Sequence, residues 1–140
     1  MIRLKGINGQ PSIATGTLVT DSLVLTAAHT LFYKKNGQLA RMRPYEFCLD
    51  LHRSLEVSTR VAVVDVKYPK EFEEIYEKLY MTKIKSDEGY QLFLNSIKYD
   101  YALLRLASPI QGRKLPTLIS GFRKEDEAVT VCGYNEPVRE

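Results

Sequence analysis

A period of two in the apolar residues recurs in short runs along this chain, and a turn closes nearly every run. Ile2–Lys5 alternates and leads into the turn-forming pair Asn8–Gly9. Ser12–Thr20 places Ile13, Thr15, Thr17 and Val19 at every second position. Asp21–Ser22 makes a tight connection to a run at Leu23–Thr26, and Lys35–Asn36–Gly37 marks a further turn. Glu46–Leu51, the Val-dense Ser58–Val66 and Tyr101–Leu106 complete six predicted strands, and Ala128–Cys132 makes a seventh. Many short strands with turn chemistry between them predict an all-β fold, a barrel or a sandwich.

One stretch departs from this pattern. From Lys70 to Ser86 the period lengthens, and Phe72, Ile75, Tyr76, Leu79 and Tyr80 fall at helical spacings. Glu74 and Lys78 form an i,i+4 pair in the favourable order, and Pro69 suits a helix start. A second apolar cluster, Tyr90 to Ile97, extends the change. Residues 70–97 therefore read as a partly helical insertion between two strands. The expected role is a surface helix that caps the sheet. Residues 108–127 read as a connection, with two prolines and two glycines between Ser108 and Phe122.

A length of 140 residues allows one domain, or one domain and the start of another. With 44% apolar and 26% charged residues the composition is that of a globular protein, not of a disordered or fibrous one. No apolar run approaches the roughly 18 residues of a membrane-spanning helix, so no membrane role is expected. The net charge of +3 is not gathered into basic stripes, so no nucleic-acid partner is expected. Cys48 and Cys132 carry no motif, and two histidines are too few for an ordinary Cys–His site. We expect no metal and no cofactor. The opening MIRLKGINGQ lacks the apolar core of a secretory signal.

The chemistry concentrates in two segments. Leu25–Thr26–Ala27–Ala28–His29 ends a hairpin in two small residues and an imidazole. Asp100 stands immediately before the apolar strand that follows it, Tyr101–Leu106. Each has a bland reading alone: His29 as a strand-end histidine bonded to backbone, Asp100 as a carboxylate bonded to nearby amides. Together they allow more. A carboxylate that meets the imidazole Nδ1–H fixes the tautomer and supports the imidazolium when it forms.

LTAAH followed by DYALLRL resembles the first barrel of the chymotrypsin-like serine proteases, which carries the catalytic His and Asp. The resemblance implies a six-stranded antiparallel Greek-key barrel over residues 1–107, with the insertion inside it. It also implies that residues 128–140 begin a second barrel whose remainder lies outside this chain. His29 matches the family's general base and Asp100 its orienting acid. Val129 to Tyr134 is similar to the first strand of the second barrel. The pattern is incomplete in three respects. None of the eight serines stands in a Gly-Asp-Ser-Gly-Gly setting. The His–Asp separation of 71 residues is long, which the insertion explains. Thr30 and Ala14 stand where animal trypsin-like members bridge two cysteines, so the chain looks more like the disulfide-poor branch that includes the glutamyl endopeptidases.

Two functions follow as expectations. In the first, the chain is part of a serine endopeptidase acting on polypeptide substrates, with the serine supplied by the C-terminal barrel of the same protein. The family is often extracytoplasmic. In the second, it is a catalytically inactive single-barrel binding or scaffold module, which leaves the pairing of His29 with Asp100 without a use.

Overall fold

The computed structural model describes residues 1–49, 59–82, 85–119 and 128–134. Among the described residues nine strands and two α-helices form in this order: β1 (Ile2–Lys5), β2 (Pro11–Ala14), β3 (Thr17–Leu18), β4 (Leu23–Thr26), β5 (Phe32–Lys35), β6 (Gln38–Arg41), β7 (Arg43–Leu49), β8 (Thr59–Lys67), α1 (Lys70–Met81), α2 (Asp87–Ile97) and β9 (Ala102–Leu106). A short 3-10 turn, Ala28–Leu31, joins β4 to β5.

Seven strands make one antiparallel sheet in the order β2-β1-β7-β8-β9-β4-β3. Its two outer strands are consecutive pieces of one chain segment, separated only by Thr15 and Gly16. The sheet therefore curls until its edges are covalent neighbours. Alternation explains the inward face. Ile2 and Leu4 of β1, Val24 of β4, and Ala102, Leu104 and Leu106 of β9 are all buried. They share one core with Phe47, Phe32, Leu31, Phe72 and Ile110. Each large side chain removed from water there contributes on the order of 1.5–3 kcal/mol.

The expected β architecture is present as one curled antiparallel sheet of seven strands, and it departs from expectation in detail. The single run expected at Ser12–Thr20 is broken into β2 and β3. Gly16 explains the break. A Cβ at Gly16 would stand 2.6 Å from both Ile2 Cδ1 and Val24 Cγ1, so only glycine lets the bend sit against the core. The turn signal at Lys35–Asn36–Gly37 also carries strands that the alternation did not predict. Asn36 (φ 51°) and Gly37 (φ 76°) form the two-residue loop of the β5–β6 hairpin, with the positive φ pair that matches strand twist.

The insertion is helical, as the spacing predicts. Pro69 precedes α1, Glu71 and Glu73 lie in its first turn and Lys78 in its last, each sign favourable to the helix dipole. Phe72 and Leu79 turn inward. The Ser86 hydroxyl caps α2 by accepting the Gly89 N–H at 3.1 Å. The aromatic rings of Phe32, Phe72, Tyr76 and Tyr80 follow one another at centroid distances of 5.8, 4.8 and 5.0 Å, binding α1 to the β5–β6 side of the core. Glu73 fastens the same junction. It accepts from Arg41 Nε at 3.0 Å and from the Tyr68 hydroxyl at 2.8 Å.

Residues 128–134 differ from the strand expected at Ala128–Cys132. Among the described residues they join no ladder, and Val129 and Val131 are exposed. An alternating segment becomes a strand only where a neighbour exchanges backbone bonds with it. Its tie is at the end, where the Tyr134 N–H donates to Thr15 Oγ1 at 2.8 Å. The expected ends of two further strands, at Asp50, Leu51 and Ser58, lie outside the described residues.

Two outcomes follow for stability. Gly16→Ala should lower it by about 1–3 kcal/mol through overpacking against Val24, read as a shift in the urea midpoint without a change in slope. Burial alone would raise the Glu73 carboxyl, but its bonds to Arg41 and Tyr68 outweigh that and hold it below its ordinary value of 4.5. A lowered carboxyl stabilises the fold above its ordinary value, and that contribution is lost as pH falls through the folded value. Glu73→Gln should therefore flatten the stability profile below pH 4.5, followed by denaturant titrations at several acidic pH values.

Candidate active site

Strands β4 and β9 are direct antiparallel neighbours, with Thr26 opposite Ala102 and Val24 opposite Leu104. The end of one and the start of the other lie at the same margin of the sheet. His29 follows Thr26 by three residues and Asp100 precedes Ala102 by two. The ladder thus places both segments just beyond one edge of the same register, although 71 residues separate them in sequence.

The backbone at His29 is held from several sides. Ala28 and Leu31 are buried, which anchors the 3-10 turn to the core. Ala28 is fully enclosed, so a larger side chain there has no room without displacing the turn. The Thr30 hydroxyl donates to the Ala27 carbonyl at 2.7 Å, and the Phe32 N–H donates to the His29 carbonyl. The His29 side chain is left 53% exposed at the sheet margin.

Asp100 comes off the end of α2. The Tyr99 N–H donates to the Ser96 carbonyl at 3.1 Å and the Asp100 N–H to the Ile97 carbonyl at 3.3 Å, so the helix end fixes the carboxylate's approach. Ser96 is itself buried, its hydroxyl donating to the Phe93 carbonyl at 2.7 Å.

The two side chains meet. His29 Nδ1 and Asp100 Oδ2 are 2.7 Å apart, and the other oxygen, Oδ1, accepts the His29 backbone N–H at 2.8 Å. Both lengths are those of charge-assisted bonds. A carboxylate only accepts, so neutral His29 carries its proton on Nδ1 and presents an Nε2 lone pair. The bond at Nδ1 thus fixes the tautomer and leaves Nε2 as the ring nitrogen with a free lone pair.

The backbone bond from His29 to Oδ1 was not expected from the sequence; only the 3-10 turn after β4 brings that amide round to face Asp100. Tyr76 is a second addition. Burial first, then a hydrogen bond with Tyr80 and the nearby Asp100 carboxylate, push its phenol well above the ordinary tyrosine value. Tyr76 of α1 thus lies within electrostatic reach of the carboxylate. Among the described residues no serine hydroxyl bonds to His29, and no group of three or more His, Cys, Asp or Glu side chains is arranged to hold a metal ion. Cys48 is a buried free thiol and Cys132 an exposed one. A groove of about 1060 Å3 between the β5–β6 tip and the two helices is lined by Gly37, Tyr80, Met81 and Leu92 but by neither His29 nor Asp100.

Comparison with protein-family models, with curated proteins and with solved structures finds no match.

The tautomer is directly testable. Long-range 15N–1H correlation spectra should show neutral His29 protonated at Nδ1. Asp100→Asn should shift population to the Nε2–H form, since an amide NH2 donates to a bare Nδ1. An Nε2–H tautomer in the unmodified protein would contradict the bonding described above.

Proposed function

We propose that this chain supplies the general base and orienting acid of a serine endopeptidase built on a chymotrypsin-like first barrel. The observation that carries the reading is the pair of hydrogen bonds that one carboxylate accepts from His29, at the ring Nδ1 and at the backbone N–H. The sheet order supports it. Taking β2 and β3 as one bent strand, β7 lies beside β1, β1 beside that strand, and that strand beside β4. In that reading the fourth main strand lies beside the first, which supports a Greek-key arrangement.

In this mechanism a serine hydroxyl from a second barrel lies against His29 Nε2. His29 takes the hydroxyl proton as Oγ bonds to the substrate carbonyl carbon. The imidazolium, supported by Asp100, returns that proton to the leaving amine as the carbon–nitrogen bond breaks. Water then repeats the cycle on the acyl-enzyme and frees the serine. The oxyanion donors and the pocket that selects the substrate side chain belong to the second barrel, so residues 1–140 alone should show negligible peptide hydrolysis.

The test uses the polypeptide at its native length. A fluorophosphonate probe should label a serine outside residues 1–140, and peptide hydrolysis should fall by about 10^4-fold in Asp100→Asn, the size typical when such an acid becomes an amide. His29→Ala should abolish labelling. A native species of 16.0 kDa that takes no label would overturn the proposal in favour of a non-catalytic module.

A further inference from the structure

Helix α2 is apolar around far more of its circumference than its contacts use. Gly89, Leu92 and Ser96 form its inner side, which packs chiefly on α1. Tyr90, Phe93, Leu94 and Ile97 fall at i, i+3, i+4 and i+7, so they form one stripe along the helix. They remain 55%, 46%, 38% and 56% exposed. Tyr101, just past the helix end, is also half-exposed. No charged residue interrupts it between Tyr90 and Ile97.

The charges lie at its ends and have opposite sign. At 3.6 residues per turn, Asp87 and Lys98 project from the same flank of the stripe, about 20° and about 40° beyond Leu94. They are separated by about 16 Å along the axis at a rise of 1.5 Å per residue. When a helix of this kind pairs antiparallel with a copy of itself, flanking residues on one side face each other. Asp87 then meets Lys98 of the partner subunit, and the two-fold axis closes the same pair a second time. A surface of uniform negative charge would be repelled by Asp87 and Glu88 at the same end, which disfavours an anionic membrane as the occupant.

We propose that α2 is a self-association surface, on which two copies of this chain pack α2 against α2 antiparallel about an axis near Phe93. The reading does not depend on the peptidase proposal. With half of each large ring exposed, the patch is about 400 Å2 per copy, counting roughly 100 Å2 for each aromatic side chain. The total of about 800 Å2 falls below the 1,200–2,000 Å2 range of stable interfaces. The dimer is therefore weak and reversible, with the charge pairs setting direction more than affinity.

Sedimentation equilibrium of the native-length polypeptide, with reductant present to keep Cys132 from bridging copies, should show a mass rising with concentration towards twice that of its monomer. Ile97→Asp should remove the rise. Asp87→Lys and Lys98→Asp should each weaken association by about tenfold, and the double variant should recover it, because the reversed charges meet again across the axis. Far-UV circular dichroism checks that each variant keeps its helices. A monomer at all concentrations overturns the proposal. So does a double variant no stronger than either single one with helix content intact, since the pairing would then not be this antiparallel one.

Discussion

The bend at Thr15–Gly16 is the constraint on which the other arrangements depend. It turns a single segment through the angle that makes β2 an edge on β1 and β3 an edge on β4. Open edges would expose unpaired backbone groups, and the bend brings the two edges into one stretch of chain instead. Gly16 permits it because Ile2 and Val24 leave no space for a side chain. Thr15 fixes it with polar bonds. Its carbonyl accepts the Thr26 hydroxyl at 2.8 Å, and its own hydroxyl oxygen accepts the Tyr134 N–H. Thr26 is the last residue of β4, three before His29. The same bend that seats the sheet edge therefore also holds the strand end that carries the imidazole.

The insertion works from the opposite side. It leaves the sheet after β8 and returns at β9, two strands that are themselves paired. Such an excursion adds sequence length without moving its ends apart. The aromatic series from Phe32 through Tyr80 fixes α1 to the core, α2 leans on α1, and the last turn of α2 delivers Asp100. A carboxylate placed by a helix end against a sheet is held more closely than one on a free loop. The long separation of His29 from Asp100 is thus the length of an excursion and leaves the 2.7 Å contact intact.

What was legible in the sequence followed periodicity and local chemistry. Ile2 and Leu4, or Ala102, Leu104 and Leu106, alternate because one face is buried, and that alternation is visible before any fold is known. The helical spacing of Phe72 and Leu79 was visible for the same reason. The break inside Ser12–Thr20 was not, because it depends on Val24 and Ile2 arriving from elsewhere in the chain. Strands β5 and β6 carry Tyr33, Lys34, Lys35, Gln38 and Arg41 on a small two-stranded ribbon, where burial is too partial to impose a period. The reverse error, at Ala128–Cys132, has a related cause. Val129 and Val131 alternate as a strand does, but alternation supplies no neighbour to bond with. At the site, residue types named His29 and Asp100, while the backbone amide that shares the carboxylate was set by a turn that no side chain announces.

That shared carboxylate makes Asp100 two things at once. Through Oδ2 it sets the ring; through Oδ1 it satisfies an amide of the 3-10 turn. Removing the whole group would leave the His29 N–H without its acceptor and loosen the turn together with the ring; because that bond is exposed to water the cost is about 0.5–1.5 kcal/mol. Loss of any function in such a variant would not distinguish a misplaced imidazole from a misprotonated one. An asparagine keeps an oxygen for the backbone amide and changes only what faces Nδ1, so it separates position from protonation. The geometry thus assigns each oxygen of one side chain a distinct task. The backbone bond keeps the imidazole where β4 and β9 place it, and the ring bond determines which nitrogen is left to act.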